Sequence, residues 1–138
     1  MNSFPMTLSQ QAACLHWVEA MLSGNYYHGR GMLYNHETDC YSAIGVAKHA
    51  EGWPVNELGY FVDAESLGWN SERDWFNTTF GLPRDADLYT TLNNMSRDYL
   101  AVASLVLNAV PDKNPTKALI QRQFMEAVSE YDSTKARR

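Results

Sequence analysis

Arg30 stands between two glycines in the run Gly29-Arg30-Gly31-Met32-Leu33. Backbone N–H groups of a glycine-rich turn, with a guanidinium beside them, can hold a phosphate or a carboxylate. Neither a Walker-type loop nor a dinucleotide-binding glycine pattern surrounds it, so no known nucleotide loop is implied. The competing reading is a sharp exit from the preceding helix, with Arg30 donating to the carbonyls of another loop. Asn93-Asn94 offers paired amide donors and acceptors that suit a base or a ribose. At a helix junction the same amides cap the backbone, and that structural reading is favoured.

His28, His36, His49 and Cys40 raise the question of zinc, because His36-x3-Cys40 has the reach of a loop ligand pair. A structural site needs four ligands in two close pairs. The other Cys-His pair, Cys14-x-His16, falls at a helical spacing that diverges, so neither a metal nor another cofactor is expected. Cys40 near His36 or His49 is the one arithmetic option for a nucleophile. No nucleophile elbow or cysteine-protease signature accompanies it. Glu72 and Asp74 are explained by the first turn of a helix, where its dipole favours acids. The aromatic residues are dense between positions 17 and 80, and most must be core. Tyr27, Tyr34, Trp53 and Trp69 fall in loops, are expected to be partly exposed, and suit a partner surface or a pocket that stacks a base.

The chain that must position these groups has 138 residues, 45% hydrophobic and 20% charged, which fits one compact domain. Residues 1–132 are expected to form it, with 133–138 as a polar tail. The net charge of −5 lacks the basic face of a phosphate-neutralising protein, so direct nucleic-acid binding is disfavoured. The acids are too scattered for a DNA mimic. Cys14 and Cys40 read as free thiols of a reducing compartment. Residues Met1 to Gln10 have neither the basic nor the apolar region of a signal peptide, and no apolar run is long enough for a membrane span. The expected location is cytoplasmic.

Periodicity predicts a helix over Leu8 to Leu22, with Leu8, Ala12, Leu15, Val18 and Leu22 as its apolar stripe, Trp17 and Met21 beside it, Thr7 or Ser9 as cap and Ser23-Gly24 as stop. Asn25 to Asp39 reads as an extended loop or short hairpin. A short helix follows around Ser42 to Glu51, ended by Gly52-Trp53-Pro54, and Gly59 to Asp63 reads as a strand. Asn70 to Asp74 starts a helix that stops at Gly81. Leu88 to Asn94 adds a helical turn or two, and Asp98 caps a helix from Tyr99 to Val110. Asn114-Pro115 starts the last one, with Ile120, Phe124, Val128 and Tyr131 as its stripe and fraying after Asp132. The expected fold is mainly α (α+β): a compact single domain of four or more helices with a small β-hairpin or short strands.

Three blocks in fixed order complete the picture: the Gly29–Leu33 turn, Tyr41-Ser42-Ala43-Ile44-Gly45-Val46, and Leu92-Asn93-Asn94 before a helix. With Trp75 to Leu82 between them, they resemble a family of small phage and prophage proteins of unassigned function, over most of residues 17 to 107. The family's paired cysteines fall at Ser42 and Ala43 here, and its Asp after Leu-Asn falls at Asn94. That departure weakens any cysteine chemistry for this fold. The resemblance implies a phage or prophage accessory protein in the host cytoplasm.

The combined reading is a protein that binds a host protein, such as one of a defence system, or a small nucleotide-like ligand, without catalysis. Arg30, Tyr27, Tyr34, Trp53, Trp69, Asn93 and Asn94 are its candidate contacts. Two alternatives stand beside it. One is a small enzyme on a phosphorylated substrate, with Arg30 as anchor and His36 or His49 as acid–base group. The other is a virion or assembly component that self-associates, as a homodimer for instance, through the last helix.

Overall fold

The computed structural model describes residues 6–23, 27–28, 34–35, 40–41, 43–57, 60–82 and 99–136, with backbone alone for 27–28, 34–35, 40–41 and 131–136. The architecture is mainly helical. In chain order the helices are α1 (Leu8–Leu22), α2 (Ala43–Ala50), α3 (Glu72–Phe80), α4 (Tyr99–Ala109) and α5 (Pro115–Ala136), with a 3-10 turn at Ala64–Leu67. α1 is the central helix and packs on all four of the others. Among the described residues, no helix is long and apolar enough to cross a membrane.

α1 starts on a reciprocal cap. Thr7 Oγ1 accepts from the Gln10 N–H at 3.1 Å, and Gln10 Oε1 accepts from the Thr7 N–H at 2.9 Å. Two N–H groups that a helix start leaves open are thereby satisfied. The buried side of α1 is Gln11, Cys14, Leu15, Trp17, Val18 and Met21. This corrects the expected stripe: Leu8 and Ala12 face solvent, and Trp17 and Met21 belong to the centre. A helix surrounded by four others buries its bulkiest side chains, and the polar Gln11 is tolerated because its amide is satisfied. Gln11 Nε2 donates to Met6 O at 3.0 Å, and its Oε1 accepts from Asn114 Nδ2 at 2.7 Å.

α2 is buried from Ala43 through Lys48, the pattern of a helix enclosed on all sides. It ends at Gly52, whose φ of +83° few other residues adopt. α3 begins at Ser71, whose Oγ accepts from the Asp74 N–H at 3.0 Å, and stops at Gly81. Trp75, Phe76 and Phe80 face the core. On α4 the buried residues are Val102, Ala103, Val106 and Leu107, with Val110 just beyond. Asn114 caps α5 by accepting from the Thr116 N–H at 2.9 Å. Lys117, on the first turn of α5, donates to Val110 O at 2.6 Å and to Asp112 Oδ1 at 2.7 Å. It thereby ties the open C-terminal carbonyls of α4 to α5 and holds the Asp112 carboxyl below its usual range. α5 continues to Ala136, past the Asp132 where fraying was expected.

Among the described residues, no hairpin is seen within Asn25 to Asp39, where an extended loop or short hairpin was expected. Three two-residue segments, β1 (Tyr27–His28), β2 (Tyr34–Asn35) and β3 (Cys40–Tyr41), pair in the order β1-β3-β2, so β1 and β2 are not neighbours. β3 runs parallel to β1 and antiparallel to β2. The strand expected at Gly59 to Asp63 reduces to one bridge between Val55 and Phe61. There the chain folds back at once, with Asn56 N–H donating to Tyr60 O at 2.7 Å and Val62 N–H to Pro54 O at 3.2 Å, and Pro54 has no N–H with which to extend the ladder. The Leu88 to Asn94 turn, the Asp98 cap and the Gly29–Gly31 turn lie outside the described residues.

Gly81 joins two elements. Its φ is +61°, and a Cβ there would sit 2.5 Å from the Gln10 side chain. Gln10 also donates from Nε2 to Thr78 O at 3.1 Å, so one side chain caps α1 and grips the end of α3. Gly81→Ala is therefore expected to lose about 2 kcal/mol, from left-handed backbone strain and displaced Gln10 hydrogen bonds. In a Gln10→Ala background the cost should fall to about 1 kcal/mol. Urea unfolding of the four-member cycle measures it, and equal costs in both backgrounds would disprove the coupling.

Candidate functional site

Lys48 is the least expected residue of the interior. It sits in the last turn of α2, 1% exposed, among aromatic rings. Its Nζ pairs closely with Glu72 Oε1 at the first turn of α3. The same ammonium lies 4.5 Å from the centroid of the Trp53 ring and 5.6 Å from that of Phe61. Both helix ends favour the arrangement, a cation near a C-terminus and an anion near an N-terminus. Burial pulls the Lys48 amine below its usual range, and the negative charges of Glu72 and Asp63 oppose that pull.

A desolvated amine beside a carboxylate is a chemical possibility for a nucleophile or a proton carrier. The enclosure of Lys48 argues for a different role. Its charge is directed at a carboxylate and two ring faces, and it joins α2, α3 and the connection between them. From there the aromatic contacts run inward: Trp53 on Trp75 at 4.9 Å, Trp75 on Phe80 at 5.7 Å, and Phe80 on Trp17 at 4.8 Å. The segment from Trp53 to Trp69 is thus anchored in the core at Trp53, at Phe61 and, through Ala64, at the 3-10 turn. Gly68, at φ +92°, closes that turn, and Trp69 N–H donates to Ala64 O at 3.1 Å.

The anchored segment turns a particular set of side chains outward. Val55, Tyr60 and Leu67 are 43%, 45% and 39% exposed. Glu51, Glu57, Asp63 and Glu65 are exposed beside them in the chain.

The structure sorts the residues expected from sequence unevenly. Trp53 is 6% exposed and belongs to the core, which corrects its expected role as an exposed contact. The reason is that Lys48 needs a ring face and Trp75 needs a partner, and Trp53 serves both. Truncating it would read the core and not a binding surface. Trp69 is half-buried, as expected of a loop aromatic. Tyr27 and Tyr34 lie on β1 and β2, opposite Cys40 and Tyr41 of β3, with only their backbone described. Arg30, Asn93, Asn94 and His36 lie outside the described residues. Lys48 was missed, although a lysine inside Ala43-Ile44-Gly45-Val46-Ala47-Lys48, four residues after Ile44 on the same helical face, is a signal that sequence offers. Glu72 was assigned to the helix dipole alone.

Cys14 is buried and its Sγ contacts Phe80 O at 3.3 Å. Burial, with Glu51 adding to it, pushes the thiol up to about 12, so it is no nucleophile near neutrality. His16, two residues on, is exposed, so this pair diverges. Among the described residues, no group of His, Cys, Asp and Glu converges on a metal position. Because the thiol titrates near 9.0 once unfolded, its contribution is intact below pH 9 and is lost as pH rises towards 12. At pH 10 the loss amounts to about 1 kcal/mol. Urea unfolding at pH 8 and pH 10 should show that extra loss in the native protein and not in Cys14→Ala. Equal losses would place the thiol in a more solvated setting. In comparisons with protein-family models, with characterised proteins and with solved structures, nothing matches this chain.

Proposed function

We propose that this protein acts by binding a protein partner without catalysing a reaction, and that the partner sits on the outer side of the Trp53–Trp69 segment. The observation that carries this reading is the exposure of Val55, Tyr60 and Leu67 on a segment fixed from beneath by the Lys48–Glu72 pair. Exposed apolar side chains on a rigid support lose little conformational freedom on association. The resemblance of the Gly29–Leu33, Tyr41–Val46 and Leu92–Asn94 blocks to phage and prophage proteins supports an accessory protein acting on a host protein in the cytoplasm. The surrounding carboxylates favour a protein over a nucleotide-like ligand, whose phosphates they would repel.

The test is site-specific photo-crosslinking in the cells that carry the gene, with the photoreactive residue at position 60 or 67. Position 8, where Leu8 is exposed on α1, is the control. A discrete adduct from positions 60 and 67 that position 8 does not give is the expected result. It should vanish in Val55→Ser/Leu67→Ser, whose stability should change by less than about 1 kcal/mol. Equal adducts at all three positions would end the reading.

A second reading is self-association through α5, as in an assembly component. It is favoured by the exposure of Leu119 and Met125 on that helix. Sedimentation equilibrium on Leu119→Ser/Met125→Ser against the native chain decides it.

A further inference from the structure

We infer that the Trp53–Trp69 face recognises a cationic amphipathic segment of a partner protein, one whose lysines or arginines flank apolar side chains. This rests on the docking reading above and adds the chemistry of the occupant. Residues 51–74 hold six carboxylates, Glu51, Glu57, Asp63, Glu65, Glu72 and Asp74, against Arg73 as the single unburied base. Counting Arg73 alone against them, their net of −5 equals the charge of the whole chain, so the other residues balance, with ten acids and ten bases. The excess charge of this protein is thus confined to the segment that also exposes Val55, Tyr60 and Leu67.

Lys48, one of the bases outside this stretch, neutralises one of these carboxylates: its ammonium is turned inward onto Glu72 and the rings of Trp53 and Phe61, which leaves Glu51, Glu57, Asp63, Glu65 and Asp74 against Arg73. Glu51, Glu57, Asp63 and Glu65 are exposed along the same stretch of chain as the apolar side chains. Their summed field reaches about one Debye length, ~8 Å at physiological salt, and it attracts cations and repels phosphate and anionic lipid. A bare metal ion is a poor occupant, because no three of the described acidic, histidine or cysteine groups converge on one point. The apolar side chains require a partner that can bury them, which a small polycation cannot do. A protein segment with apolar residues inside and basic residues at the rim meets both demands, the usual division of an interface into apolar core and polar rim.

The experiment uses the full chain and two synthetic fourteen-residue amphipathic helical peptides. One is built of leucine and lysine, the other of leucine and glutamine in the same pattern. Binding is followed by fluorescence anisotropy and located by amide chemical-shift changes. The leucine–lysine peptide should bind with shifts concentrated at residues 51–74 and at least tenfold more tightly than the leucine–glutamine peptide. Glu57→Lys/Glu65→Lys should weaken it at least tenfold with Tm unchanged, and Glu57→Gln/Glu65→Gln should do so by a smaller factor. Val55→Ser/Leu67→Ser should also weaken it at least tenfold. If the leucine–glutamine peptide binds as tightly at the same residues, the cationic inference falls and the docking reading stands. Binding of either peptide elsewhere on the chain, or of neither, overturns the inference. In that case the crosslinks at positions 60 and 67 alone decide the docking reading.

Discussion

Glu72→Ala should lower the unfolding free energy by about 3 kcal/mol, while Lys48→Met should leave it within about 1 kcal/mol of the native value. The asymmetry follows from the setting of the pair. Lys48 is enclosed, whereas the Glu72 side chain keeps 28% of its surface in solvent. Removing the carboxylate strands a buried ammonium between two rings, and an uncompensated buried charge is the expensive outcome. Removing the ammonium leaves a carboxylate that water can still reach. Methionine fills nearly the same volume and makes its own favourable contacts with Trp53 and Phe61.

The pair also carries a pH signature. Burial holds the Lys48 amine below its unfolded value of 10.5, so between the two values the unfolded chain binds more protons. Stability from this group therefore rises with pH as that window is crossed, and native protein should gain on Lys48→Met from pH 7 towards pH 10. Urea unfolding at pH 7 and along that range measures both effects. A loss on Glu72→Ala no larger than that on Lys48→Met would show that water, and not Glu72, satisfies the lysine.

Trp17→Ala should cost at least 4 kcal/mol, a large share of the roughly 5–15 kcal/mol that holds a domain of this kind together. Trp17 is 1% exposed and lies 4.8 Å from the ring of Phe80 and 5.7 Å from that of Phe76, centroid to centroid. Its Nε1 donates to Ala43 O at 2.9 Å, at the N-terminal residue of α2. Truncation therefore opens a cavity among α1, α2 and α3 and removes the side-chain donor to the Ala43 carbonyl. Trp17→Phe separates the two losses: the ring is largely retained and the hydrogen bond is not, for a cost of about 1–3 kcal/mol. Chemical denaturation followed by circular dichroism gives both numbers. If Trp17→Phe is as damaging as Trp17→Ala, the hydrogen bond dominates; if it is neutral, packing supplies the whole effect.

The helices and several of their ends were legible in the sequence. Thr7 (offered beside Ser9), the Asn70–Asp74 start, Gly81 and Asn114-Pro115 act through hydrogen bonds or backbone preferences that reach no more than four residues, so residue type and spacing bring them out. Of the stripe that periodicity gives for α4 (Tyr99, Val102, Ala103, Val106 and Val110), the last four are buried; Leu107 is buried with them and was not expected, because a helix this apolar does not mark one face by spacing alone.

The face of α1 was legible in part: Leu15 and Val18 are buried as expected, but Leu8 and Ala12 point to solvent although they are as apolar as their spacing requires, because α2, α3, α4 and α5 approach from the side of Cys14, Trp17 and Met21. The strand order was not legible, since β3 enters between β1 and β2 by pairings that no local rule selects. The pair that anchors the candidate face joins residues 24 positions apart, and the loop tryptophan expected on the surface lies under it. Local hydrogen bonding and periodicity determined where the elements begin and end. Which of their sides meet, and which charge is buried with which, was decided when the elements packed, because burial is a property of the assembled neighbours and not of any one segment.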